Sequence, residues 1–185
     1  MIRITSGIYK GRKIIVPSGK NIKAISDRVR EAIFSILSYY LNWNEIVAVD
    51  LYAGSGSIGF EALSRGAKKV IFVELSSKKI EIIKKNIQLI SPEEKKVELI
   101  QSKALKWVIN YQSLDLDCVV FIDPPFSSNE YDIILEKLSK LPTIKNGSFL
   151  VIQSSYKRKI LFPKNLQILK HRRYGSVMIY ILQKC

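Results

Sequence analysis

The stretch IVAVDLYAGSGSIGFEALSRG, residues 46–66, decides the fold. Ile46 to Leu51 is apolar apart from Asp50 and reads as a strand buried on both faces. Gly54, Gly56 and Gly59 then satisfy G-x-G-x-x-G, and a helix near 57–65 runs until Gly66 stops it. Strand, glycine turn and helix make the opening of a βαβ unit. Downstream the pattern repeats. KVIFVE (69–74) leads to SSKKIEIIKKNIQLI, a helix capped by Ser76 or Ser77 and ended before Pro92. KVELIQ (96–101) precedes a short helix near 103–111, CVVFID (118–123) precedes one near 129–140, and SFLVIQS (148–154) is a fifth strand. Such alternation predicts an α/β fold with a parallel sheet covered on both faces. The tail, LQILKHRRY then SVMIYIL about Gly175, reads as a closing antiparallel hairpin.

Residues 1–45 break the alternation and are expected to form a basic extension, with the catalytic unit at 46–185. RITSGIYKGRKIIVP reads as a small β-hairpin turning near Lys10-Gly11. Ser26 opens a helix whose apolar face is Val29, Ile33, Ile36, Leu37 and Tyr40. Its other side carries Asp27, Arg28, Arg30 and Glu31, a solvated face or a site wall.

Charge narrows the function. The chain of 185 residues carries 30 Lys/Arg against 16 Asp/Glu, net +14. Residues 1–30 hold eight Lys/Arg and one acid, and residues 137–185 hold eleven Lys/Arg and no acid. Positive ends around a slightly negative centre suggest a polyanion-binding surface beside a site of different chemistry. Lys10, Arg12 and Lys13 of the hairpin, with Arg28 and Arg30, are the expected substrate-binding cations. No apolar run reaches the length of a membrane span, and the N-terminus lacks the apolar core of a signal peptide. Two cysteines, Cys118 and Cys185, make no disulfide framework, and Cys118 reads as a small buried hydrophobe. A cytoplasmic monomer with no metal and no membrane is expected.

Glu74 lies 20 residues beyond Gly54, at the tip of the second strand, where it can accept ribose hydroxyls. By itself this fits an adenosine-type cofactor, dinucleotide included. Two features separate the cofactors. Asp50 ends the first strand, where a carboxylate suits a cationic amino-acid group and opposes a pyrophosphate. Asp123-Pro124-Pro125-Phe126 follows the fourth strand, beside the crevice of an open α/β sheet. Hydride transfer has no use for that stretch, but methyl transfer to an exocyclic amine does. The Asp123 carboxylate and Pro124 carbonyl can accept both amine hydrogens and leave the nitrogen lone pair for attack. Pro125 stiffens the loop, and Phe126 can stack on a base brought out of its helix or loop.

IRITSGIYKGRKIIVP, SDRVREAIFSIL, DLYAGSGSIGFEALSRGA, VIFVE and VVFIDPPF together resemble the RsmD family over residues 2 to 183. These are bacterial enzymes that methylate guanine N2 of small-subunit (16S) ribosomal RNA with S-adenosylmethionine. The resemblance implies a Rossmann-like S-adenosylmethionine-dependent methyltransferase fold. Its seven-stranded, mostly parallel sheet has an antiparallel last strand, and the partner is 16S rRNA or an assembling small subunit. It places Asp50, Ala53, Gly54, Ser55, Gly56, Gly59, Ala104 and Asp123 at the cofactor and Glu74 on the ribose. Asp123 to Phe126 would hold the guanine. Against the family pattern, Lys23, Ala24 and Ile25 replace Arg-Pro-Thr, Lys103 stands where an Asp or Asn meets adenine, and Gln153 replaces an acid.

Three rivals share parts of this pattern. A DNA adenine or cytosine amino-methyltransferase needs the same four residues but usually a further recognition domain. A nicotinamide-dependent oxidoreductase rests on the glycines alone. A non-catalytic RNA-binding assembly factor would fit the basic ends equally.

Overall fold

The computed structural model describes residues 1–17, 25–110, 117–125 and 127–185. Its centre is a seven-stranded sheet. Strands β3 (Val47–Leu51), β4 (Lys69–Glu74), β5 (Val97–Gln101), β6 (Cys118–Ile122) and β7 (Phe149–Ser155) are joined on one edge by the hairpin β8 (Leu166–Tyr174) and β9 (Val177–Lys184). Their order is β5-β4-β3-β6-β7-β9-β8. β3 to β7 pair in parallel, whereas β9 is antiparallel to both its neighbours, so β8 points the same way as β7.

β-branched runs explain the layers. Alternate residues of each strand enter two separate cores. Ala48, Phe72, Phe121 and Val151 face one, and Val49, Val73, Val120 and Ile152 face the other. The first core is covered by α1 (Asp27–Tyr40), α2 (Ser57–Ser64) and α3 (Ser77–Ile90), the second by α4 (Ala104–Asn110) and α5 (Tyr131–Lys140). Every strand residue of β3 is buried, as parallel strands between helical layers require. No helix among the described residues is long and apolar enough to cross a membrane.

α1 begins where its sequence cap lies: the Ser26 side chain accepts the amide of Val29. Its buried face differs from the expected one: Ile36 is only half-buried, and three other positions change. Phe34 is fully buried and stacks near Trp43 and Phe121, while Tyr40 is 46% exposed. Arg30 belongs to the buried side too, at 1% exposed.

The N-terminal segment is the larger surprise. Its paired strands are only β1 (Ile2–Arg3) and β2 (Lys13–Ile14), joined by a tightly wound loop with Gly7 and Gly11 at positive φ. All eight residues of α2 are buried, because this loop lies across the helix face that the sheet leaves uncovered. The Ile8 amide donates to the Ser64 carbonyl and the Tyr9 amide to Ser64 Oγ. A Cβ on Gly7 would stand 1.8 Å from the Ser64 carbonyl oxygen, so only glycine permits that approach. Ile4 and Ile14 join the first core beside Phe34. Among the described residues, Ile4, Ile14 and the buried face of α1 therefore share one core with α2 and the sheet.

Glu61 fastens the segment. This fully buried carboxylate accepts from the Thr5 amide and hydroxyl, the Ser6 amide, Arg30 Nε and Arg65 Nε. Arg30 also donates to Asp27 and to the Arg3 carbonyl. A buried charge demands such partners, and this corrects the expectation for Arg30: its guanidinium is committed inside the fold and does not face a substrate.

Candidate active site and cofactor cleft

The chain builds outward from β3 through β4 to β5, then returns to build β6 and β7 on the other side. The direction of build thus reverses between β3 and β6. Ligands of open α/β sheets bind outside the carboxyl ends of the strands at this point. Leu51 pairs with Ile122, so Tyr52 and Asp123 emerge side by side. A cleft of about 940 Å³ opens there, within the size range of small-molecule sites.

One wall is the glycine loop. Gly54 and Gly56 take positive φ, and Tyr52 does so without being glycine. Gly59 serves packing, since a Cβ there would stand 2.2 Å from the Phe72 ring. Glu74 organises the loop. Its Oε2 accepts the Gly54 amide at 2.9 Å, and its Oε1 accepts the amides of Leu75 and Ser76. Lys79 Nζ lies 3.7 Å from the same Oε2. A carboxylate oxygen has two acceptor positions, so Oε2 keeps one for a ligand hydroxyl. Gly54, Ser55, Glu74, Ala104 and Asp123 line the cleft, with Lys103 and Ser102 beside Ala104.

Asp50, Ala53, Gly56 and Gly59 do not line it. The Asp50 carboxylate is buried beneath the loop and accepts the Gly59 amide at 3.0 Å. It ties strand end to helix start rather than presenting itself to a ligand. Burial holds its pKa well above the ordinary carboxylate value; the Gly59 amide opposes this, while Asp123 and Glu74 add to it.

The opposite wall is Asp123-Pro124-Pro125. Burial raises the Asp123 pKa to about 7, against the opposing effects of a hydrogen bond from Gln153 and the charge of Lys79. Gln153 Nε2 donates to Asp123 Oδ2 at 3.0 Å, whereas its Oε1 is buried with no hydrogen-bond partner among the described residues. The Tyr131 hydroxyl lies 3.1 Å from the Gln153 carbonyl and 3.4 Å from that of Pro124. Its single proton favours the nearer oxygen, which leaves the Pro124 carbonyl available. Phe126 lies outside the described residues, as do Lys23 and Ala24.

Several lining residues went unnoticed in the sequence: Tyr52, whose hydroxyl donates to Glu130 at 2.6 Å, and Val16, Pro17 and Ile25. Glu130 and Lys79 are two more. A positive-φ tyrosine has no sequence signature. Among the described residues no cluster of three or more His, Cys, Asp or Glu could hold a metal ion.

The predicted RNA-binding cations lie elsewhere. α2 starts at the glycine loop and ends at Ser64, under Ile8 and Tyr9. α3 has Lys79 at the cleft and Ile90 at its other end, where the Ile90 carbonyl accepts from Arg12. At 1.5 Å per residue the ends of α3 are roughly 20 Å apart. Lys10, Arg12 and Lys13 are exposed; the loop holding Lys10 and Arg12 lies at the far end of these helices from the cleft, and Lys13 stands between that end and Val16 at the cleft. Arg28 is exposed in the first turn of α1, whose Ser26 and Val29 border a side cavity beside Gln153.

The model of a family described as "Conserved hypothetical protein 95" matches residues 2–183. A Haemophilus influenzae protein named ribosomal RNA small subunit methyltransferase D is 33% identical over 182 residues, covering 98% of this chain and 93% of that one. The chain belongs to this family. A solved Haemophilus influenzae structure, provisionally described as a methylase, superposes with a TM-score of 0.84 at 32% identity, over 99% of this chain and 98% of its own. A Salinibacter ruber RNA methyltransferase, solved with S-adenosyl-L-homocysteine, shares the fold at 15% identity, with a TM-score of 0.64 over 91% of this chain and 94% of its own. The seven-stranded sheet, mostly parallel with an antiparallel last strand, is that expected for the family.

Proposed function

We propose that this protein transfers a methyl group from S-adenosylmethionine to the exocyclic N2 amine of a guanine in small-subunit ribosomal RNA. The observation that carries the reading is the set of acceptors at the end of β6. Asp123 and the Pro124 carbonyl stand at one wall of the cleft, and Gln153 Nε2 orients the Asp123 carboxylate. A guanine edge offers N1–H and the two N2 hydrogens as donors, whereas adenine offers an acceptor at N1. Two acceptors match the two hydrogens of an exocyclic amine, and the choice of guanine rests on the resemblance to the RsmD family. The RNA class rests on family membership and on the basic ends of the chain.

The cofactor reading follows from charge. Glu74 and Asp123 line the crevice of a chain that is otherwise strongly basic. They favour a sulfonium and an ammonium, and oppose the pyrophosphate of a dinucleotide. Glu74 Oε2 is placed to accept a ribose hydroxyl. When bound, S-adenosylmethionine supplies the electrophilic methyl group. Asp123 and the Pro124 carbonyl accept the amine hydrogens and hold the nitrogen lone pair toward it. As the N–C bond forms and the S–C bond breaks, the amine loses a proton, and a carboxylate with a pKa raised to about 7 is a competent acceptor.

The test combines binding with transfer. Calorimetry should show S-adenosylhomocysteine binding, with NAD weaker or absent; tighter NAD binding would overturn the cofactor reading. Tritium from labelled S-adenosylmethionine should enter small-subunit particles or their naked RNA, and not duplex DNA. Asp123→Ala should keep cofactor affinity yet lose about 10²- to 10³-fold in single-turnover rate, the usual effect of removing one preorganised group. A rate within a few-fold of wild type would make Asp123 a loop cap.

A further inference from the structure

We infer that the RNA strand flanking the target base docks on the tip of the β8–β9 hairpin, a surface distinct from the N-terminal cations. The inference rests on the RNA-methyltransferase reading above and adds the place where substrate is held.

Direction in the sheet is the first argument. β8 points the same way as β6 and β7, so its last residues, Arg172 to Tyr174, emerge at the edge where Asp123 lies. Ile179 pairs with Gln153 on one side and Arg172 on the other. Arg172 is thus two strands from the residue that binds Asp123, roughly 10 Å across the sheet. A side cavity of about 180 Å³ fills the interval. Tyr174, Ser176 and Val177 line it together with Ile25 and Gln153, both of which also line the main cleft.

The chemistry of the tip is the second. Arg173 lies over the Tyr156 ring at 3.7 Å and Arg172 over Tyr174 at 5.5 Å, with Lys157 also near Tyr156. The Tyr156 amide donates to the Ser176 carbonyl, and Arg173 Nε to that of Gly175, so two chain segments meet at the tip, with the Arg172–Tyr174 and Arg173–Tyr156 pairs on its two faces. Arg172, Arg173 and Lys157 are exposed. Flat aromatic and guanidinium faces among cations are what unpaired RNA bases and their phosphates require. Lysines that only guard an edge strand would be spaced along it. Here the cations gather at the end nearest the cleft, and Tyr156 and Lys157 come from a separate segment.

Anisotropy with a naked small-subunit rRNA transcript, titrated over a range of salt, tests the placement. Arg172→Ala/Arg173→Ala should weaken binding roughly ten-fold or more and reduce the salt slope by about 1.4 to 1.8, two phosphate contacts. Arg172→Lys/Arg173→Lys should restore most of the slope and less of the affinity, because an ammonium does not stack as a guanidinium does. S-adenosylhomocysteine affinity, read by calorimetry, should be unchanged in both. If the alanine pair binds RNA like wild type while Lys10→Ala/Arg12→Ala/Lys13→Ala does not, this placement is wrong and the methyltransferase reading stands. Failure of the wild-type protein to bind RNA, or a preference for duplex DNA, would overturn both.

Discussion

The two basic ends of this chain are alike in composition and opposite in use. The N-terminal segment turns Thr5, Ser6 and Arg30 inward and leaves Lys10, Arg12 and Lys13 exposed. Thr5, Ser6 and Arg30 converge on Glu61, and Arg12 closes the end of α3. The hairpin tip at the other end keeps its arginines exposed on tyrosines beside the cleft. Net charge cannot tell these apart. What separates them is where the cations sit: Lys10 and Arg12 at the far end of α2 and α3, Arg172 and Arg173 at the carboxyl edge.

The same contrast holds between two buried acids. Glu61 has five donors and is satisfied, as structural charges must be. Asp123 has Gln153 and a distant lysine, and burial raises its pKa to about 7. The largest effect should come from Glu61. Glu61→Ala strips the N-terminal segment of its anchor and leaves Arg30 buried without its main counter-charge, a loss of about 3 to 5 kcal/mol in urea unfolding. A change below about 1 kcal/mol would mean the segment is an appendage after all. Asp123→Asn should act in the reverse direction. The folded state binds the Asp123 proton more tightly than the unfolded one, so this group's stabilisation is full below about pH 4 and lost as pH rises through about 7. The variant should therefore melt a few degrees above wild type at pH 8, at about 2 to 4 °C per kcal/mol, with the gap closing at pH 4. Equal melting at both pH values would show that Asp123 is not strained. Smallest is Gln153→Leu. Losing its hydrogen bond removes the main influence lowering the Asp123 pKa, so the acid limb of the single-turnover rate should move to higher pH. An unmoved limb would assign that limb to another group.

Much of the cleft was legible before any coordinates. β4 spans the residues read as its strand, and the glycine loop, Glu74 and Asp123-Pro124-Pro125 meet at one crevice. Each is local: a β-branched run, a turn needing positive φ, a carboxylate at a strand tip. Asp50 was misjudged in its neighbours, for the spacing puts it at the strand end but cannot say that the Gly59 amide occupies it. Arg30 was misjudged because helical periodicity places it beside polar residues. The missed clue was Glu61 within SIGFEALS, an acid in an otherwise apolar helix that had to be paired.

The sequence by itself determined the α/β layering, the glycine turn and the family, because hydrophobic period and loop chemistry act over a few residues. Only the tertiary structure decided that the N-terminal segment covers α2, that Glu61 is its anchor, and that β8 ends at the carboxyl edge two strands from Gln153. Those facts depend on contacts between residues more than twenty positions apart, such as Glu61 with Thr5 and Gln153 with Ile179. A charge leaves the same mark in the sequence whether it is buried against a partner or exposed to a phosphate. The difference appears only when packing sets what stands opposite it.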